Sequence, residues 1–395
     1  MNKINKLNLV KDLGFIKTGV EYFKGKKKYF STSSVKEKLI REEGLFTFDE
    51  KPSRANRIVK KDDILQARMQ NTNKALLIND DLHENLFSTG FFQLRPPKDK
   101  VLSKFIYYWL FSQEFNTQKD RLCSGSTQKA INDENLSKIN LLVPSITLQQ
   151  KIVAKLDKIF AEIDKATAAA EANIKNSESL FESYLTKVFQ QGGEGWTKKK
   201  LIDICEKITD GTHQTPKYFG NGIIFLSSKN VTSGIIDWNR IRYIDEKQHI
   251  ELSKRVSPKL NDILLAKNGT TGVAAIVDRD LVFDIYVSLA LLRPKKIVLP
   301  KFLLYFINSS LAKKQFNKRL KGIGVQNLHL EEIREVEINL PVSLDIQEKL
   351  VLGIQSFLKN INHFKVTYEN KKNELIVLKH SILQQAFNGE LVKAA

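Results

Sequence analysis

The spacing of apolar residues in this chain alternates between two regimes, and the alternation happens twice. As far as Pro144, and again from Gly193 to Pro341, short apolar runs are broken by polar and glycine-containing turns, which predicts strands mixed with short helices. After Pro144 and as far as about Gln191 the chain is free of Gly and Pro, and apolar residues recur at alternating steps of four and three. That period predicts one long helix with a seam through Ile152, Leu156, Ile159, Ile163, Ala166, Ala170, Asn173, Ser177, Leu180 and Tyr184. The same steps about 198 residues later give Leu350, Ile354, Phe357, Ile361, Phe364, Tyr368, Lys371, Leu375, Leu378 and Ile382. Nine of these ten are apolar, and the exception, Lys371, falls at the position of polar Asn173. Phe364 and Tyr368 align with Ala166 and Ala170, the large-against-small relation that pairing between two helices requires. At ~1.5 Å rise per residue each helix would be on the order of 60 Å long. Gly192 and Gly389 lie where each run should stop.

The matched helices belong to a larger repetition. Leu9–Gly19 returns as Leu201–Gly211, Asp62–Arg68 as Asn261–Lys267, and Leu94–Pro96 as Leu292–Pro294. Lys104–Tyr108 returns as Lys301–Tyr305, Ile139–Pro144 as Val336–Pro341, and Gln149–Val153 as Gln347–Val351. Six matches in one order, at a period longer than any solenoid repeat, mean two copies of a domain-sized module. The expected fold is α+β. Mixed α/β modules at 1–144 and 193–341 are each followed by a long helix, at 145–192 and 342–395, with Gln190–Lys200 as the linker between the halves. If the helices pair as an antiparallel coiled coil, a pseudo-twofold axis relates the modules and sets one at each end of a shared rod.

Charge narrows the partner. The 395 residues include 63 Lys and Arg against 44 Asp and Glu, a formal charge of +19, with a pI near 9.6. Such an excess is the footprint of a polyanion, whose phosphates attract it independently of sequence and less strongly as salt rises. A basic surface serving only solubility is the alternative. No apolar run approaches the ~18 residues of a membrane span, and the first residues lack a signal-peptide core, so a cytoplasmic protein is expected. Cys123 and Cys205 are not equivalent in the repeat and the six histidines are scattered, which argues against a disulfide framework and a metal site.

Between the repeated segments the modules diverge, in loops rich in hydrogen-bonding side chains. Arg and Lys suit guanine edges, Asn and Gln suit adenine edges, and glycine allows close backbone approach. The first module offers Arg68, Gln70, Asn71 and Lys74, then Thr127, Gln128 and Lys129. The second offers His213, Lys229 and Asn230, then Lys267, Asn268, Thr270 and Thr271, and finally Gln326 and Asn327. Arg68 aligns with Lys267 and Gln128 with Gln326, which favours base contact over ordinary turns. Lys295–Lys321 holds eight Lys or Arg and no acid, and reads as a helix with Lys313, Lys314, Lys318 and Arg319 outward, either solvated or on phosphates.

The signatures of an enzyme are missing. There is no GxxxxGK[ST] loop, (N/D)PP(Y/F) loop, GxSxG, HExxH or His/Cys cluster, and the only double proline, Pro96-Pro97, lies between Arg95 and Lys98. Asp49-Glu50-Lys51 matches half of a nuclease acid–acid–lysine motif, without a partner acid on a strand. No catalytic residue is expected.

Two divergent modules, each closing on a strand that ends in proline and then Gln149-Gln150-Lys151-Ile152-Val153 or Gln347-Glu348-Lys349-Leu350-Val351, form a distinctive frame. With Ser124–Pro144 and the final Ile382–Leu391 (ILQQAFNGEL), this frame resembles the specificity subunit of type I restriction–modification systems over essentially the whole chain. The resemblance implies two target recognition domains that read the halves of an interrupted, asymmetric site in double-stranded DNA, with the helices setting the spacing. It also implies two methyltransferase subunits and, in the full complex, two ATP-dependent restriction subunits. S-adenosylmethionine, ATP and magnesium would sit on those partners, which would also flip and methylate the target adenine. This chain would carry no cofactor, and its partners would dock on the outward faces of the long helices. A similar subunit serving a fused nuclease–methyltransferase, a coiled-coil adaptor that binds no nucleic acid, and an enzyme of unrecognised chemistry are the competing readings.

Overall fold

The structure, a computed structural model, describes residues 5–36, 39–320, 327–388 and 390. It divides into two compact units, one formed by Met1–Ala170 with Asn370–Ala395 and the other by Glu171–Glu369. Two helices of 44 residues each, Ile146–Phe189 (the central helix) and Leu344–Phe387 (the C-terminal helix), are both divided between the units. Each unit therefore holds one globular lobe, the opening half of the helix that follows it, and the closing half of the other helix.

In the first lobe a four-stranded antiparallel sheet runs in the order Phe15–Ile16, Phe91–Leu94, Ile64–Ala67, Ala75–Leu77. Its two inner strands are buried throughout, Gln66 and Gln93 included, so neither shows an alternation of buried and exposed positions. A second sheet, Gly44–Phe46, Lys27–Phe30, Leu86–Ser88, Ala55–Ile58, contains one parallel pair. Asn5–Asn8 pairs with Asn140–Val143 and closes the lobe. The second lobe repeats this plan. Cys205–Asp210, Leu289–Pro294, Ile263–Ala266 and Ala274–Ile276 form its central sheet, and Trp196–Lys200 pairs with Glu337–Pro341. Its other sheet has three strands, again with one parallel pair, Ile223–Leu226 beside Phe283–Ile285.

The repetition extends to individual bonds. Arg95 grips buried Asp63 through Nε and an outer nitrogen at 2.6 and 2.7 Å, and Arg293 grips buried Asp262 at 2.9 and 2.7 Å. Each aspartate also accepts from a turn amide, Lys60 or Lys259, at 2.8 Å. Asp62 and Asn261, one residue earlier, share a left-handed φ of 70° and 71°. Bidentate pairing to a planar guanidinium fixes direction as well as distance, so these pairs hold the end of one inner strand to the turn that leads into the other in each lobe.

Each half-helix closes the core of its unit. In the first unit Ile152, Leu156, Phe160 and Ile163 of the central helix join Ile382, Leu383 and Ala386 of the C-terminal helix in one cluster with Phe105, Ile106 and Trp109. In the second, Leu185, Val188 and Phe189 join Val351 and Ile354 around Phe302 and Phe306. The helices are antiparallel within each unit. Glu178 pairs with Lys365 at 2.7 Å and Tyr184 stacks on Phe357 at 4.4 Å between ring centres, so one numbering rises as the other falls. In the first unit Asp164 meets Lys379 at 3.6 Å.

The seam differs from the strict heptad reading at alternate positions. Leu180 is 55% exposed and Phe181 takes its place, stacked on Phe357. On the C-terminal helix Phe364 and Leu378 face solvent, at 51% and 46% exposure, and the ion-paired Lys365 and Lys379 lie on the contact face instead. The seven-residue period is kept, but its steps of three and four fall in the opposite order (Ile354, Leu358, Ile361, Lys365, Tyr368, Lys372, Leu375, Lys379, Ile382), so alternate members of the expected seam are displaced by one residue and the others stay. The large-against-small pairing fails because antiparallel helices do not set aligned positions face to face: Phe364 is at the surface, and Ala166 and Ala170 belong to the other unit from Phe364 and Tyr368. The basic helix expected between Lys295 and Lys321 is two helices, Pro300–Asn308 and Ser310–Asn317. Ser309 breaks the run by accepting from the Ala312 amide as an N-cap.

Candidate nucleic-acid interface

The antiparallel order of each central sheet brings its turns together at one end. In the first lobe Ala67 lies opposite Phe91 and Gln66 opposite Ala75, so Lys17–Gly19, Arg68–Lys74 and Thr89-Gly90 emerge at the same edge. The loop Ser124–Ala130 is fastened there, by a bridge from Met69 to Ala130 and a 2.9 Å bond from the Gln70 amide to the Lys129 carbonyl. In the second lobe Gly211–His213, Lys267–Val273, Tyr286–Ser288 and Asn327-Leu328 meet in the same way. Thr212 bridges Tyr286, Asn268 bridges Asn327, and the Lys267 amide donates to Ser288 at 2.9 Å. Only glycine fits at 211, because a Cβ there would sit 1.9 Å from the Ile285 carbonyl oxygen.

Several of the expected base-readers are supports for these loops. Arg68 donates to the Phe91 and Ile131 carbonyls at 3.3 and 3.1 Å and to Asp133 at 2.6 Å, which leaves its guanidinium committed to the lobe. Lys267 is buried with its Nζ 2.6 Å from Asp210. Asn230 is buried as well, donating to the Arg240 carbonyl at 3.0 Å and accepting from the Ser227 amide at 3.0 Å. A chain with this much lysine holds some of it inside, and alignment alone does not separate a strut from a reader. Gln70 ties its side chain to the Asp120 carbonyl at 2.9 Å, and Lys74 reaches the Thr32 carbonyl at 3.0 Å.

Most of the remaining residues are exposed. Thr127, Gln128 and Lys129 form an exposed stretch, and Asn71 is exposed with a left-handed φ of 55°. His213, Lys229 and Thr270 are exposed, with His213 Nε2 3.5 Å from Asp210. Thr271, Asn268 and Asn327 are partly buried, and the Thr271 hydroxyl donates to the Lys267 carbonyl at 3.2 Å. Gln326 lies outside the described residues. Ile131 donates to the Arg68 carbonyl as Leu328 does to that of Lys267, so Ala130, not Lys129, corresponds to Asn327.

The electrostatics of the two loop ends balance differently. In the second lobe Asp210 accepts from Lys267 and, at 2.5 Å, from Arg255. Burial alone would raise its carboxyl, but these two bonds and the charges behind them outweigh burial and hold it below the usual carboxylate range. In the first lobe the buried Arg57 donates to the Thr18 hydroxyl at 2.9 Å and to the Ile16 carbonyl at 3.0 Å. Burial, with the nearby Arg68 charge, pushes its guanidinium down to about 10. The carboxylate of this lobe is Asp133, which opens the helix Asp133–Leu136 and binds Arg68; Leu330 opens the corresponding helix of the second lobe. The acid that pairs with the strut cation is thus supplied from a different position in each lobe, Asp133 to Arg68 and Asp210 to Lys267.

Sequence reading passed over further surface features of both lobes. Tyr22 is 70% exposed, edge-on to Phe48 at 5.5 Å, and is followed by the exposed Lys24 and Lys26. In the second lobe Tyr218 and Phe219 are exposed, and the Arg242 guanidinium stacks over Tyr218 at 4.4 Å. The run Lys24-Gly25-Lys26-Lys27-Lys28 was the available signal for the first patch. Among the described residues no group of three or more His, Cys, Asp or Glu is placed to hold a metal ion, and no helix is long and apolar enough to cross a membrane.

A duplicated frame with divergent ends defines a two-domain reader, and comparison with known proteins gives its class. The family model of the Type I restriction modification DNA specificity domain matches residues 10–175 and 193–377, and the chain belongs to that family. It is 23% identical over 325 residues, 74% of this chain and 67% of the relative, to the Type I restriction enzyme EcoBI specificity subunit of Escherichia coli. A chain from a structure of the type I R-M system, solved for its complex assembly and conformational transition, aligns with a TM-score of 0.77 at 20% identity, covering 98% of each chain. The HsdS subunit from Thermoanaerobacter tengcongensis aligns with a TM-score of 0.57 at 20% identity over 98% of this chain and 97% of that one. The protein is a type I restriction–modification specificity subunit, which recognises DNA sequence through two target recognition domains.

Proposed function

We propose that this chain reads a bipartite, asymmetric site in double-stranded DNA, one half per lobe, and scaffolds two methyltransferase subunits and, in the full complex, two restriction subunits. It performs no chemistry itself. S-adenosylmethionine, ATP and magnesium are held by the partners, and the assembly works in the cytoplasm. The observation that carries this reading is the contrast within the repeat. The Asp63–Arg95 and Asp262–Arg293 grips are the same in both lobes, while the loop ends differ in the placement of the acid and in the bridged pairs Met69/Ala130 and Asn268/Asn327. A constant frame with two unlike ends suits two unlike half-sites at a fixed spacing.

The methyltransferase subunits dock on the outward face of the C-terminal helix. Leu352, Phe364 and Val366 in one unit, and Ile376, Val377 and Leu378 in the other, are large apolar side chains left in solvent. Such residues gathered along a helix mark a surface that a partner covers.

Methylation mapping tests the reading. Co-expression of the chain with its methyltransferase subunit in a host that lacks the mark should write a motif of two short specified halves separated by an unspecified spacer. Exchange of Leu201–Gly324 for the equivalent segment of another family member should alter one half and leave the other. A contiguous palindromic motif, or simultaneous change of both halves, would refute it.

A further inference from the structure

The two loop ends repeat the same backbone bonds and differ in the side chains those bonds present. Met69 follows the Arg68 strut and bridges Ala130, just before the buried Ile131; Asn268 follows the Lys267 strut and bridges Asn327, just before the buried Leu328. The flanking bonds, Ile131 amide to Arg68 carbonyl at 2.9 Å and Leu328 amide to Lys267 carbonyl at 3.1 Å, fix the equivalence of the two pairs. One pair is apolar, with Met69 38% exposed. The other consists of two carboxamides, and Oδ1 of both Asn268 and Asn327 is buried without a hydrogen-bond partner among the described residues.

Adjacent unpaired amide oxygens are disfavoured in a folded protein, and a donor supplied by a ligand removes the penalty. Both asparagines are only partly buried. The terminal torsion of asparagine is broad, so a small rotation turns either edge of the amide outward. Exposed neighbours, Thr270 in this lobe and Lys129 in the other, border the pairs. We propose that Met69/Ala130 and Asn268/Asn327 are homologous base-reading positions with opposite chemistry. The apolar pair contacts the methyl group of a thymine in the half-site of the first lobe. The amide pair binds the N6 amino group and N7 of an adenine in the half-site of the second. An amide that both accepts and donates matches adenine, which offers a donor and an acceptor side by side in the major groove; cytosine offers only its amino group there. This inference rests on the reading of the chain as a two-lobed DNA specificity subunit.

The test uses the full chain with its methyltransferase subunit. Asn268→Met with Asn327→Ala gives the second lobe the apolar pair, and Met69→Asn with Ala130→Asn makes the reverse exchange. The first variant should relax or switch one base pair in the half-site of the second lobe only, and the other variant one base pair in the opposite half-site only. Replacement of the read adenine by 7-deazaadenine should weaken binding by the unaltered complex roughly 5- to 150-fold and leave the Asn268→Met/Asn327→Ala complex unaffected. Should a double variant be insoluble, Asn268→Ala, which removes only an amide, carries the same expectation of lost discrimination at that one position. Folded variants that co-purify with the methyltransferase, melt like the parent and write the parent motif would overturn the assignment. An unaltered complex that writes no bipartite mark would instead overturn the functional reading beneath it.

Discussion

Gln149 and Gln347 occupy one and the same clasp in the two copies of the fold. Gln149 accepts from the Leu102 amide at 2.8 Å and donates to the Pro144 and Lys100 carbonyls at 2.9 and 3.2 Å. Gln347 accepts from the Leu299 amide at 2.8 Å and donates to the Pro341 and Ile297 carbonyls, both at 2.9 Å. Both side chains are fully buried, and each ties the start of a long helix to the strand before it and to the turn ahead of a core helix. A neutral amide is the only side chain that serves one donor and two acceptors here. Replacement of either glutamine by alanine strands those groups and should cost on the order of 2–4 kcal/mol. Urea denaturation should show the lowered midpoint.

Asp210 holds two cations at the loop end of the second lobe, and Asp210→Asn leaves a buried Lys267 without its counter-charge. About 3–5 kcal/mol of stability should be lost. The pH dependence has a definite sign. Because the folded carboxyl titrates below its unfolded value, its contribution is complete above roughly pH 4 and disappears as the pH falls through the lower folded value. Thermal melts of parent and variant should therefore differ at neutral pH and converge in acid.

Lys24 and Lys26 should behave quite differently from Lys267. Both are exposed on a loop that reaches the surface beside Tyr22, and each alanine substitution should reduce the log–log salt slope of DNA binding by about one without altering the melting temperature. Lys267→Ala should destabilise the chain instead. Titration of a labelled duplex by the assembled complex at several salt concentrations separates the two behaviours.

Ile361 and Phe364, three residues apart on the C-terminal helix, make the most economical contrast of all. Ile361 is 4% exposed, and its truncation to alanine should cost roughly 2–4 kcal/mol. Phe364→Ala should leave stability within about 0.5 kcal/mol. It should nevertheless weaken capture of the methyltransferase subunit, as measured by co-purification; unchanged capture would remove Phe364 from the docking face.

Duplication, the two long helices and the strands at Asp62–Arg68 and Asn261–Lys267 were legible because buried frames repeat their residues as well as their spacing. Half of the helix seam was legible too. The other half was displaced by one residue, since steps of four then three and of three then four share every second position and apolar residues such as Leu180, Phe364 and Leu378 fit the wrong order as well as the right one. The loop ends were harder. Arg68 and Lys267 carry the charge expected of a DNA contact, yet Phe91, Ile131, Asp133 and Asp210, distant in sequence, turn them inward. Asn230 is absorbed in the same way by Ser227 and Arg240. Polar side chains in loops are chosen by what surrounds them, and only the folded backbone reveals which partners are within reach.

The sharing of the long helices has a consequence for biosynthesis. The core of the amino-terminal lobe is sealed by Ile382, Leu383 and Ala386, which lie far along the chain from that lobe's own strands. Such distant closure makes folding slow and keeps an unfinished apolar face in water while the rest of the chain emerges. Chains halted anywhere in the carboxyl half would be left with an unsealed first lobe, an easy mark for proteases.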